Sequence, residues 1–473
     1  MKKQTTFGLI VGTRGFFNVR LAQEGRRHLL QKMEKLGLNY VILPEDTTPT
    51  GAIETFADAQ KCARLFHERR EEIDGLVVVL PNFGDELGVV NALHLARLDV
   101  PVLVQASDDD IDKVDTANRR DSFCGKISVC NNLYQYGIPF TDTTYHTCPI
   151  DSDLFEHDLA YFASVCHVVN GLRRARIGAI GARPAAFQTM RASEKLLQAS
   201  GITVIPVDLS EIIFRANRLD GQATKVKAKL AEIREYGSIP ASVKDLDQKL
   251  LRQARLCVTL DEWIAENSID AAGVQCWTSI QDNYGCAACL AMSMLSNQLI
   301  PCACEVDVAG VLAMYALTLA TGEPPALADW NNNYQDDRDM CVAQHCSNYP
   351  AGFIGSRPEI TTLEVLGANL GTEICFGAIM GKVAAGPMTY FRISTDDVRG
   401  KIKAYLGEGE FTADPFPMSG GIAVCRIPNL QRLLKYICKN GFEHHAAMVR
   451  THCAGVIEEA LSTYMKWELY RHE

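Results

Sequence analysis

The feature that most constrains this chain is a repeated alternation of unbroken Val/Ile/Leu runs with amphipathic segments of helical period. "FGLIVGT" reads as a strand, "LAQEGRRHLLQKMEKLG" as a helix stopped by Gly37, "NYVILPED" as a strand and "AIETFADAQKCARLFHERREE" as a helix. "DGLVVVLPNFGDE" and "VPVLVQASDDD" continue as strands, with the helix "GVVNALHLARL" between them. Runs that are apolar on both faces belong to parallel strands covered by helices on either side. In such sheets ligands gather at the carboxyl ends of the strands, which here carry "GTRGFFN", "LPED" and "PNFGDE".

At 473 residues the chain is too long for one ordinary core. The stretch from 140 to 170 is less regular, and "NGLRRARIGAIGARP" then opens a second alternating unit. Beyond residue 345, "ICFGAIMGKVAAGPMTYFRIST", "GKIKAYLGEGEF" and "GGIAVCRI" are short β-prone runs with Gly-rich turns. The fold class expected is α/β: two Rossmann-like domains with parallel sheets, at 1–165 and 166–345, and a smaller β-rich, barrel-like domain at 346–473 ending in a helix.

A net charge of −10, with basic residues scattered rather than striped, argues against nucleic acid or an anionic membrane as partner. No stretch reaches the roughly 18 apolar residues of a membrane span. "MKKQTTFGLIVGTRGFF" reads as a first strand and not as a signal peptide. The 17 cysteines are odd in number and sit inside apolar patterns, as expected for reduced thiols in a cytoplasmic enzyme. A zinc site built from Cys286, Cys289, Cys302 and Cys304 is disfavoured, because the two pairs differ in spacing and lack knuckle glycines.

Two carboxylates stand out against the apolar background. "NQLIPCAC" ends at Glu305, "DVAGVLAMYALTLATG" has helical spacing, and "PALADWNNNY" resumes a strand containing Asp329. Read as strand, helix, strand, this unit places both acids at carboxyl ends of strands in one sheet. Crowded carboxylates repel unless a cation neutralises them, and oxygen ligands with an added imidazole suit manganese or a similar ion. "NGFEHHAAMVRTHCAGVIEEAL" offers His444, His445 and His452 as sources of that imidazole. Asp307 reads as a helix N-cap.

At these residues the sequence resembles the L-fucose isomerase family and, more distantly, L-arabinose isomerases. The likeness rests on "CWTS" at 276–279, "CEVDVAGVLAMYALTLATGEPPALADWNNNY" at 304–334 and "HHAAMVRTHCAGVIEEAL" at 444–461. "LPNFGDE" and the "FF" after Gly15 extend it more weakly to the N-terminal half. The resemblance implies a manganese ion held by Glu305, Asp329 and His445, with Glu305 and Asp329 exchanging protons with an open-chain sugar through a cis-enediol. Trp277, as part of the sugar wall, His345 and His444 are candidate substrate contacts; His345 stands where arabinose isomerases carry a further metal-binding His. The resemblance also implies homo-oligomers, commonly hexamers or trimers, in which the first domain of one subunit helps to close a neighbour's site; from their place in the fold, Arg14 and the "PNFGDE" loop are the segments expected to face that cleft. His444 stands where fucose isomerases have Asn, which leaves the sugar open. The expected activity is aldose–ketose isomerisation. The alternatives are a modified hexose such as 6-sulfoquinovose, giving 6-deoxy-6-sulfofructose, and a non-catalytic sugar-binding protein.

Overall fold

The computed structural model describes residues 4–473. It divides into two compact units, Met1–Asn170 with Glu459–Lys466, and Gly171–Glu458 with Trp467–Glu473. Among the described residues no helix is long and apolar enough to cross a membrane.

The first unit is a doubly wound sheet. Strands β1 (Thr6–Val11), β2 (Asn39–Ile42), β3 (Gly75–Leu80), β4 (Val102–Ala106) and β5 (Thr141–Asp142) are all parallel, in the order β2-β1-β3-β4-β5. Every residue of β1, β3 and β4 is buried, as their continuous apolar runs require. The intervening helices start where side chains can satisfy free backbone N–H groups. Asn18 accepts from the Arg20 N–H, and Thr55 with Asp58 forms a capping box. The late segment 459–466 belongs to this unit, where the Tyr464 hydroxyl donates to the Val102 carbonyl at 3.1 Å.

The second unit begins with a four-stranded parallel sheet of β6 (Arg176–Ile180), β7 (Thr203–Val207), β8 (Ala271–Val274) and β9 (Cys302–Cys304), in the order β7-β6-β8-β9. A nine-stranded sheet follows. It comprises β10 (Ala326–Tyr334), β11 (Asp337–His345), β12 (Glu359–Thr362), β13 (Phe376–Lys382), β14 (Gly386–Asp396), β15 (Lys401–Phe411), β16 (Gly421–Arg426), β17 (His445–Val449) and β18 (Glu468–Arg471). Its order is β12-β13-β16-β11-β10-β17-β14-β15-β18, and a further pairing of β15 with β16 closes the inner six strands into a barrel. One hydrophobic core runs from Ile180 and Trp263 through to Phe411 and Met448, so both sheets fold as one unit and the expected divide at 345/346 is not a divide between cores.

The helix Val308–Thr321 joins the two sheets, packing on β6 and β8 of one and β14 and β17 of the other. Covered on opposite sides, it has no polar stripe, which is why "VLAMYALTLATG" is apolar throughout. This corrects the placement of the acids. Glu305 follows β9 in the parallel sheet, whereas Asp329 lies within β10 in the barrel, because β10 finds antiparallel partners in β11 and β17. His445, expected beside the final helix, opens the strand β17.

Candidate active site

Glu305 leaves β9 in a left-handed turn: its φ is 60° and that of Val306 is 55°. Two successive non-glycine residues in this region cost about 1–3 kcal/mol each and persist only where the surroundings impose them. Here the Val306 N–H donates to Val274 O at 3.3 Å and the Asp307 N–H to Cys304 O at 3.1 Å. Gly273 lets the turn approach, since a Cβ there would stand 2.9 Å from Val306 Cα. The turn leaves the Glu305 side chain buried, and the Trp277 indole N–H donates to its Oε1 at 3.2 Å.

The barrel register supplies the partners. Asp329 on β10 lies opposite His445 on β17 and, on its other side, opposite Gln344 on β11, whose neighbour is His345. Consequently three atoms converge on His445 Nε2: Glu305 Oε2 and His345 Nε2, each at 3.2 Å, and Asp329 Oδ1 at 3.3 Å. His444 Nε2 lies 3.5 Å from the same Asp329 oxygen.

Behind this cluster Asp307 fixes the imidazole. It caps the Val308–Thr321 helix, its Oδ1 accepting from the Gly310 N–H at 2.8 Å, as read from the sequence. It does more than cap. Its Oδ2 accepts from His445 Nδ1 at 2.8 Å, and Arg392 donates to both oxygens, at 2.5 and 3.1 Å. Arg392 Nε–H also donates to Glu443 at 3.1 Å, and the Ser394 hydroxyl donates to the other Glu443 oxygen at 2.9 Å. Burial alone would push the Asp307 carboxyl up, but Arg392 and His445 outweigh it and hold the group well below the usual carboxylate range. Gly310 is required by the pair, since a Cβ there would sit 2.3 Å from Asp307 Oδ2 and 2.7 Å from an Arg392 nitrogen.

This arrangement fits a cation. With the proton of His445 held on Nδ1 by Asp307, Nε2 presents a lone pair toward the carboxylates. Glu305 Oε2 and Asp329 Oδ1 are buried and make no hydrogen bond. Acceptors facing acceptors in a buried place are unfavourable unless a positive ion lies among them. Separations near 3 Å are those of neighbouring ligands on one six-coordinate ion. Glu305, His345 and His445 form one group with metal-binding spacing, and Asp329, His444 and His445 another.

An aromatic wall borders the carboxylates. Phe187 meets the Trp277 ring edge-on at 5.3 Å and lies 5.8 Å from the His444 ring. Sequence alone does not single out Phe187, Arg392 or Glu443: "PAAFQTM" has no periodic signal, Arg392 lies within β14 in a run with no motif, and Glu443 sits in the loop just before β17, overshadowed by the histidines that follow it. Arg14 belongs to the first unit, where its guanidinium stacks 4.1 Å from the Phe83 ring and pairs with Asp85 and Glu86. A cavity of about 930 Å³ opens at the carboxyl ends of β6, β7 and β8, but its lining includes no imidazole or thiol, and its one acid, Asp208, caps a helix.

A buried acid–imidazole cluster raised on a parallel sheet and a closed barrel is the equipment of a metal-assisted acid–base enzyme. Residues 8–173 match the fucose/sulfoquinovose isomerase N-terminal domain, and residues 343–472 match the L-fucose isomerase C-terminal domain. A sulfoquinovose isomerase of Priestia aryabhattai is 24% identical over 452 residues, covering 95% of each chain. Another, from Clostridium sp. (strain MSTE9), is 29% identical over 174 residues, 37% of this chain and 38% of its own. The chain belongs to the L-fucose isomerase family of sugar isomerases.

Proposed function

We propose that the protein interconverts an open-chain aldose and its 2-ketose through a cis-enediol, with a 6-sulfonated hexose of the sulfoquinovose type as substrate and manganese as its ion. The observation that carries the reading is the convergence of Glu305 Oε2, Asp329 Oδ1 and His345 Nε2 on His445 Nε2, with both carboxylate oxygens lacking a donor. The choice of sugar is supported by relatives along nearly the full length, which are sulfoquinovose isomerases.

Glu305, Asp329 and His445 would hold the ion, with His345 as a further ligand. When bound, the ion supplies a Lewis acid that stabilises charge developing on O1 and O2 of the sugar. Moving hydrogen between C2 and C1 needs a base and an acid on the reacting carbons, roles that Glu305 and Asp329 share. Trp277 orients Glu305 through its indole N–H and, with Phe187 and His444, forms the wall against which the sugar lies. Arg14 completes a neighbouring subunit's site in a trimer or hexamer.

Sulfoquinovose, L-fucose and L-arabinose are incubated with the manganese-loaded protein, and ketose formation is followed by NMR. Ketose from sulfoquinovose alone is the expected result. Ketose from none of the three, or substantial turnover in Glu305→Gln, refutes the proposal.

A further inference from the structure

Beside the acid–imidazole cluster lies a third group of metal-ligating atoms, Cys304, His345 and Cys346, of which the isomerase reading uses only His345; their ligand atoms lie within 4.8 Å of one another. Cys304 ends β9 and Cys346 follows β11, so the barrel and the parallel sheet each deliver one thiol. Their sulfurs are 4.0 Å apart. Two sulfurs on one tetrahedral zinc ion, with Zn–S bonds of about 2.3 Å, stand roughly 3.8 Å apart, so the pair needs to move only a few tenths of an ångström. Both cysteines are free thiols. Asn348 Nδ2–H donates to Cys304 Sγ at 3.4 Å, a contact typical of the support given to a ligating sulfur. Cys289 lies beside the pair, its thiol donating to the Cys346 carbonyl at 3.5 Å, so a further soft donor is at hand.

The sulfur set departs from the CxxC pairing weighed in the sequence. Cys286 and Cys302 take no part, while Cys346, which carries no spacing signal, is brought in by the fold. What gives the group a consequence is His345. Its Nδ1 accepts from the Cys346 backbone N–H at 2.8 Å, which leaves Nε2, 3.2 Å from His445, as the nitrogen that can serve either set but not both. One imidazole therefore stands between a hard, oxygen-rich set and a soft, sulfur-rich one.

We propose that Cys304, Cys346 and His345 form a second ion site, selective for zinc and ions of its class, that shares His345 with the isomerase centre. Binding displaces two thiol protons to solvent and involves no redox change. Thiolate donors select zinc over manganese, so the two ions sort by ligand softness. A zinc ion that draws His345 toward the thiols takes Nε2 away from the carboxylates, making the site inhibitory. The site itself stands independently of the isomerase reading, and only the effect on turnover rests on it.

The test starts from the manganese-loaded protein given one equivalent of Zn²⁺ under anaerobic conditions. Zinc-edge X-ray absorption is expected to show at least two sulfur ligands, and a shell of oxygen and nitrogen alone overturns the site without need of any variant. Cd²⁺ in place of Zn²⁺ is expected to give a thiolate charge-transfer band saturating at one equivalent. Cys304→Ser/Cys346→Ser should abolish that band, and its persistence in a variant with native thermal unfolding refutes the assignment. Turnover of the native protein should fall by roughly tenfold or more with one equivalent of zinc, and unchanged turnover refutes the sharing of His345. Glu305→Gln separates the two readings: it should keep the cadmium band while losing isomerase activity.

Discussion

Replacing Asp307 with Asn tests whether the isomerase centre is held from behind. Each Asp307 oxygen takes two donors: Oδ1 from the Gly310 N–H and Arg392, and Oδ2 from His445 Nδ1 and Arg392. An amide offers one acceptor in place of two. Turned either way, its NH2 group faces donors, and Arg392, fully buried, loses half of its counter-charge. Breaking a buried pair from one side costs about 3–5 kcal/mol, and the remaining Glu443 contact places the expectation near 3 kcal/mol. Loss of the carboxylate behind a metal-binding imidazole weakens metal affinity by roughly 10–100-fold, or about 1.4–2.7 kcal/mol. The assay is titration with Mn²⁺, reading free ion by electron paramagnetic resonance, alongside calorimetric unfolding of the apoprotein. The variant should bind manganese more weakly yet regain much of its kcat at saturating ion. Native manganese affinity in Asp307→Asn would refute the positioning role, whatever happens to its Tm.

Two further outcomes follow from the same geometry, and one from the proposed oligomer. Gly310→Ala should destabilise the second unit by about 1–3 kcal/mol, because its Cβ overlaps the Asp307–Arg392 pair, and thermal unfolding measures this. Chelation should abolish turnover, and added Mn²⁺ should restore it, as followed by ketose formation. Arg14→Ala should change KM or kcat for the sugar while leaving manganese affinity unchanged; native kinetics in that variant would remove Arg14 from the site.

The sequence displays some of this plainly. The strands "FGLIV" and "GLVVVL" are legible because burial on both faces demands an uninterrupted apolar run. The helix after Glu305 is legible from Asp307 at its start and Gly322 at its end. The pairing that places Asp329 opposite His445 is not, since strand register across the barrel depends on closure between distant segments and not on local pattern. For the same reason local pattern places both acids on one sheet, whereas they lie on two. Arg392 is invisible in "MTYFRIST", where a lone basic residue in a strand ordinarily marks a solvated face, and only the fold reveals it as the buried counter-charge of Asp307.

The division of the donor set between two sheets bears on how the protein is made. Glu305 is presented by one sheet, whereas Asp329 and His445 meet only across adjacent barrel staves that are far apart along the chain. A nascent chain therefore has no complete donor set until β17 has been made and has paired with β10. Truncated or half-assembled molecules should remain metal-poor, and loading becomes a signal that the barrel has closed.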